Sequence, residues 1–224
     1  MPTPSDSRAD RPASGQKPLR LVVAVAVTVL AVAIVVVAGV FIDSAQRQPV
    51  PKALASCRTA AQLAPDLYRS APPMCINVHG EYLATVDTTK GSFTIKLLPS
   101  KSPVTVNNFV VLAVNGYFTG RRFLAAPSWY VQSGDPTDTG RGGPGYTLPT
   151  APVGKGAWAS GSVGMARLSD GKISGSQFFI TRTGWKGGRP KLSYNYFGTV
   201  SKGFNNLTTL GTSDRILSVT VREI

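Results

Sequence analysis

The sequence predicts a mainly β domain, a β-barrel with few helices, set behind one N-terminal transmembrane helix. Three observations point there. Residues 21–42 carry no charged side chain, and 22 residues rising about 1.5 Å each match a hydrocarbon core of roughly 30 Å. Two alternating apolar–polar runs flank residue 90, and after Tyr117 the chain is a series of short β-like pieces broken by Gly and Pro. With 224 residues, 42% of them hydrophobic, the chain can bury one good core but not two large ones.

Residues 1–18 are rich in Pro, Ser, Asp and Arg without apolar periodicity, the composition of a disordered tail. Residues 19–42 form the predicted membrane helix. A cleaved signal would have an apolar region of only about 7–15 residues followed by a small-x-small site, and this run is longer. Arg8, Arg11, Lys17 and Arg20 precede it and Asp43 follows it, so the positive-inside bias places the N-terminus in the cytoplasm and the following domain outside. Residues 43–79 shift to Pro, Ala, Ser and Gln and read as a linker or short cap. A disulfide between Cys57 and Cys75 fits that compartment and would contribute on the order of 3 kcal/mol; two free thiols are the alternative.

The domain itself is assigned to residues 80–224. Tyr82-Leu83-Ala84-Thr85-Val86 and Phe93-Thr94-Ile95-Lys96-Leu97 alternate across Thr88-Thr89-Lys90-Gly91, which predicts a β-hairpin. Ser102 and Pro103 suit an N-cap and first helical position, Val106, Phe109, Val110 and Ala113 have helical spacing, and Gly116 marks the stop; one amphipathic helix follows. Leu217, Val219 and Val221 alternate with Ser218, Thr220 and Arg222 in a final strand.

Charge and motifs exclude several functions. The net charge is +13, and residues 80–224 alone hold 16 basic and 7 acidic residues. The basic residues are scattered and no stacking motif interleaves them, so nucleic acid is not an expected partner. One His and two Cys are too few for a zinc cluster, and no metal is expected. Gly140, Gly142 and Gly145 match G-x-G-x-x-G, but Pro144 lies inside the motif and no helix follows to bind a pyrophosphate. His79 is the sole imidazole, and no G-x-S-x-G accompanies it. The acids stand singly, with no pair in the apolar setting of an acid/base couple. What remains is aromatic and apolar residues close to Arg and Gln, a pattern that suits a groove for an apolar peptide.

The order and spacing of SWYVQSGDPTDTGRGGPGY, GSVGMARLSDGKISGSQFFIT and YFGTV, after an opening TVDTTKGSFTIKLLPSKSPVTVNNFV, resemble the cyclophilin-type peptidyl-prolyl isomerases over about residues 81–224. The N-terminal anchor with a linker is similar to exported cyclophilins of Gram-positive bacteria. The resemblance implies a closed eight-stranded antiparallel barrel capped by two helices, a proline-binding groove on its outer wall, no cofactor, and a monomeric domain acting on proline-containing polypeptides. By motif position it implies Arg122 as the catalytic arginine and Gln132 as the glutamine that hydrogen-bonds the substrate backbone. Trp129, Tyr130, Phe179 and Leu192 would form the proline pocket, and Ala166, Arg167 and Gln177 the adjoining groove. Phe178, next to Phe179 on the same strand, should face the core.

Three positions depart from the family pattern. F-H-R reads Gly120-Arg121-Arg122 with a longer spacer to Gln132, which makes Arg121 the alternative catalytic arginine. Met-Ala-Asn reads Met165-Ala166-Arg167, and Tyr194 stands nearest to the usual His; Trp185 is a candidate for the pocket tryptophan of some members. The expected function is a membrane-anchored, extracytoplasmic isomerase that assists the folding of exported proteins. The alternative is a catalytically weak cyclophilin-like binding module or chaperone for proline-containing segments.

Overall fold

The computed structural model describes residues 50–58, 62–64, 66–151, 158–185 and 193–224. The predicted tail, the membrane helix over residues 19–42 and Leu192 lie outside these residues. Among the described residues no helix is long and apolar enough to cross a membrane.

Strands β3 (Tyr82–Thr88) and β4 (Gly91–Leu97) pair antiparallel from Tyr82 opposite Leu97 to Thr88 opposite Gly91. The turn between them closes with the Thr88 hydroxyl donating to the Gly91 carbonyl at 2.6 Å, and Gly91 has φ +96°, which a side-chain-bearing residue adopts only at a cost. Helix α1 spans Pro103–Val114. Ser102 occupies the N-cap position without capping: its hydroxyl donates to the Tyr196 carbonyl at 2.8 Å, tying the helix to the sheet. Gly116, at φ +75°, ends the helix, and the Tyr117 amide reaches back to the Leu112 carbonyl at 3.0 Å.

One antiparallel sheet holds the remaining long strands: β5 (Tyr130–Ser133), β6 (Thr147–Leu148), β7 (Ser162–Arg167), β8 (Ile173–Thr181), β9 (Tyr196–Lys202) and β10 (Ile216–Glu223). Their order is β10-β3-β4-β9-β7-β8-β5, with β6 also on β8. A second short helix, α2, spans Phe204–Thr208.

This corrects the expected closed barrel: the eight-stranded sheet curls into a half-barrel and does not close, because β5 and β10 are not paired. Residues 120–125 run between those edges and are laced to them by single bridges, Arg122 to Arg215 and Ala125 to Gln132. Gly120 at φ +80° and Pro127 beyond the segment keep it from extending into a strand.

The core packs against Phe109 of α1, whose ring lies 4.9 Å from Phe118, 5.2 Å from Phe197 and 5.6 Å from Phe178. Two elements differ from the periodic reading. Leu217 is 54% exposed, because a register shift between Ile216 and Ser218 lets Ile216 take the inward place. Helix α1 is not amphipathic in its burial, since every residue from Thr105 to Ala113 is buried.

The outer side of α1 is covered by residues 50–79, the stretch read as linker or cap. They contain a 3₁₀ turn, Lys52–Cys57, and a small antiparallel pair, β1 (Gln62–Ala64) with β2 (Leu67–Tyr68). Leu54, Cys57, Tyr68 and Ile76 belong to the same buried cluster as Phe109. Cys57 and Cys75 are bonded, with Cα atoms 5.2 Å apart. Asn107 of α1 accepts from the Cys75 amide at 2.8 Å, and Asn115 donates to the Cys57 carbonyl at 3.1 Å. The hydrophobic core thus begins well upstream of Gly80. Leu54→Ala is expected to cost about 2–5 kcal/mol in chemical denaturation of the oxidised protein, and a change under about 0.5 kcal/mol, the size typical of a surface position, would contradict that burial.

Candidate peptide-binding groove

Strand alternation builds the site. On β5, Val131 and Ser133 are buried inward while Tyr130 and Gln132 face the other side. Gln132 pairs with Phe179 of β8, and Phe179 in turn pairs with Gly164 of β7, so these three share the outer face of the sheet. Phe178 points the opposite way into the core, as alternation predicts.

Gly164 leaves room on that face for an indole. A Cβ there would lie 2.6 Å from Trp158 Cη2 and 2.9 Å from Phe179 Cζ. Trp158 stacks on Phe179 with centroids 5.3 Å apart and planes 11° from parallel. Its backbone has φ +81°, a strained conformation for a bulky residue. It is held by its amide donating to Ser162 Oγ at 3.0 Å and its carbonyl accepting from the Trp185 amide at 2.8 Å.

Tyr194 lies 5.3 Å from Phe179 and 5.8 Å from Trp158. Trp185 lies 4.9 Å from Trp129 and 5.8 Å from Tyr194, and Tyr130 lies 6.3 Å from Phe179. The structure therefore gathers Trp129, Tyr130, Phe179, Trp185 and Tyr194 from separate stretches of sequence. Trp158 was not anticipated; it sits alone among Gly, Ala and Ser with no periodicity to mark it.

The polar side of the groove is ordered by amide pairing. Gln132 Nε2 donates to Gln177 Oε1 at 2.9 Å, and Gln177 Nε2 donates to the Gly142 carbonyl at 2.8 Å. Gln177 is only 1% exposed, so it orients Gln132 rather than offering a surface of its own. Ala166 follows two residues after Gly164 on the same face of β7 and is buried. Arg167 folds back, with its guanidinium donating to the Ser193 and Gly171 carbonyls and lying 5.7 Å from the Tyr194 ring centre. It braces the loop around Tyr194.

The two adjacent arginines diverge. Arg121 donates to the Tyr117 carbonyl at 2.8 Å, pairs with Asp66, lies over the Tyr117 ring and has a side chain 15% exposed. Arg122 is 41% exposed, donates to the Thr212 carbonyl at 3.0 Å and has Asp138 at 3.9 Å. Its own carbonyl accepts from Ser133 Oγ at 2.8 Å, which fixes its backbone beside Gln132. Arg182, also not anticipated, donates to the Ala126 and Pro127 carbonyls at 3.2 and 2.9 Å and so ties down the long spacer between Arg122 and Gln132.

A family model described as "Cyclophilin type peptidyl-prolyl cis-trans isomerase/CLD" matches residues 83–223. A "Peptidyl-prolyl cis-trans isomerase-like 1" of Emericella nidulans is 37% identical over 133 residues, 57% of this chain and 80% of its own. A peptidyl-prolyl cis-trans isomerase of Synechococcus elongatus is 32% identical over 143 residues, 62% and 94% respectively. Among solved structures, a Cryptosporidium parvum cyclophilin-type isomerase superposes with TM-score 0.57 at 26% identity, covering 63% of this chain and 98% of that one. A second structure of it, crystallised in the presence of the dipeptide Ala-Pro, gives 0.56 at 28% identity, covering 62% and 98%.

Thr212, which holds Arg122, lies in a turn closed by Asp214. This carboxylate accepts from Thr89 Oγ1 at 2.6 Å and from the Gly211 amide at 2.7 Å. Those bonds, the Thr89 one foremost, hold Asp214 below the usual carboxylate range, with Lys90 adding to them and burial opposing. The unfolded chain then binds more protons than the folded one as pH falls through about 4, and stability declines with it. Asp214→Asn is expected to flatten that part of a stability–pH curve. An unchanged curve would exclude this carboxylate as its source.

Proposed function

The chain belongs to the cyclophilin-type peptidyl-prolyl cis-trans isomerases, and from that premise we propose that Arg122 and Gln132 isomerise X-Pro bonds held on the outer face of β8. The observation that carries this reading is the Ser133–Arg122 hydrogen bond at 2.8 Å. It ties the Arg122 backbone to β5, the strand that carries Gln132 and Tyr130, while the guanidinium, 41% exposed, rests on the Thr212 carbonyl.

An amide resists rotation by about 18–20 kcal/mol because its nitrogen lone pair is delocalised. At the twisted state that lone pair returns to nitrogen. A guanidinium donating to the prolyl nitrogen at that moment binds the twisted form more strongly than the planar one, and this difference lowers the barrier. The Arg122 guanidinium presents its donors in a fixed plane. Gln132, oriented by Gln177, holds the peptide backbone, while Phe179, Trp129 and Tyr130, with Trp185 and Tyr194, grip the proline ring and buried Trp158 backs Phe179. The crystallised relative's Ala-Pro dipeptide is a ligand of the chemistry this box suits. Arg121, taken up by Asp66 and Tyr117, is the poorer candidate for the catalytic role.

We place this activity outside the cytoplasmic membrane, on exported proteins. The uncharged run over residues 21–42, the basic residues before it and the Cys57–Cys75 bond, which suits an oxidising compartment, support that location.

With the full chain in detergent micelles, cis-to-trans relaxation of a short X-Pro peptide is the decisive assay. Arg122→Ala is expected to lower kcat/KM at least tenfold, about 1.4 kcal/mol of transition-state stabilisation. Arg122→Lys should fall nearly as far, since an ammonium lacks the planar fork. Activity within about twofold of wild type in both variants would contradict the assignment. A folded wild type that binds the peptide without accelerating its relaxation would favour the binding-module reading instead.

A further inference from the structure

We propose that the strap over residues 50–79, closed by Cys57–Cys75, positions the catalytic groups, with Asp66 and Tyr68 as its positioning residues; this rests on the isomerase reading above. Residues 120–125, which carry Arg122, are bonded through the backbone of Gly120, Arg121 and Phe123 to residues 214–216, but to β5 only through the Gln132 amide on the Ala125 carbonyl. One edge of the segment is thus held by backbone, and side-chain contacts supply the rest of what fixes the position of Arg122.

The strap supplies them on two sides. Asp66 pairs with Arg121, whose Nε holds the Tyr117 carbonyl, so the residue before Arg122 is clamped between strap and domain. Without Asp66, a guanidinium that is only 15% exposed would lose its paired carboxylate and keep only the more distant charges of Asp138 and Asp135, a costly arrangement for a largely buried charge.

On the other side, the Tyr68 amide donates to the Pro144 carbonyl at 2.8 Å. Gly145, at φ +95°, is pressed so close that a Cβ would lie 2.9 Å from both the Tyr68 carbonyl and Leu67 Cδ1. Two residues before Pro144, the Gly142 carbonyl holds Gln177, which holds Gln132. The Tyr68 ring packs against Tyr117 and Tyr146. Tyr117 donates to Ser176 Oγ, and Tyr146 to Asn108 Oδ1, whose amide bonds the Gly175 carbonyl. The strap thus reaches Arg122 through Arg121, and Gln132 through the Gly142 loop and β8.

The disulfide sets where the strap lies. Its two ends are fixed on α1 through Asn115 and Asn107, and Asp66 and Tyr68 hang between them. The buried strap residues and the aromatic box belong to separate hydrophobic clusters, so loosening the strap should disturb the catalytic step more than the grip on proline.

The test uses the oxidised full chain in micelles and an X-Pro peptide, comparing wild type with Asp66→Asn, Asp66→Glu and the double variant Cys57→Ser/Cys75→Ser. Asp66→Asn and the double variant are expected to lose about fivefold or more in kcat with KM within about twofold, and Asp66→Glu to restore most of it. Near-UV circular dichroism gives the folded fraction. Asp66→Asn and the double variant both within twofold of wild type, or a loss that only tracks the folded fraction, would overturn the proposal. Should the double variant not fold, the Asn/Glu pair at position 66 decides alone. A wild type with no acceleration would instead overturn the isomerase reading.

Discussion

Strand β8 is buried along its whole length, Ile173–Thr181, so both of its faces must be covered, and the rest of the molecule is arranged to cover them. Inward, Phe178 meets Phe109 and Phe118. Outward, Phe179 is covered by Trp158 and Gln177 by Gln132. The outer cover is incomplete around half-exposed Tyr130, Trp129 and Tyr194, and that gap is the proposed groove. A binding site of this kind arises when a sheet face too apolar to be left bare is closed by side chains rather than by another layer of backbone.

The open edge of the sheet has a comparable effect. A closed barrel would hold its catalytic arginine in a continuous ladder. Here residues 120–125 rest on backbone bonds to residues 214–216 and on Ser133, Thr212 and the strap. This scaffolding draws on positions far apart in sequence, which makes the geometry of Arg122 dependent on folding that begins before Gly80. The burial of Leu54, Cys57, Tyr68 and Ile76 and the polar bonds of Asn107 and Asn115 are parts of that support.

Much of this was legible in the sequence where a physical period was present. The β3–β4 hairpin, the bounds of α1 at Pro103 and Gly116, and the opposite facing of Phe178 and Phe179 follow from turn chemistry, capping and alternation. The strap was not legible: its buried residues are single apolar side chains spaced among Pro, Ala and Ser, and nothing local shows that α1 needs a cover on its outer side. Trp158 was hidden for a similar reason, because its place depends on a missing side chain at Gly164, two strands' pairing away from Gln132. The bulge at Leu217 and the unclosed sheet are matters of register, which alternation cannot reveal by itself.

Whether the outer face of β8 grips proline, as proposed, is decided by side-chain NMR of the full chain titrated with a short Ala-Pro peptide. The Trp129 and Trp185 indole N–H signals and the Gln132 side-chain amide are expected to shift together and saturate at one concentration. Saturable shifts confined to residues away from this face, with these three signals unmoved, would contradict it.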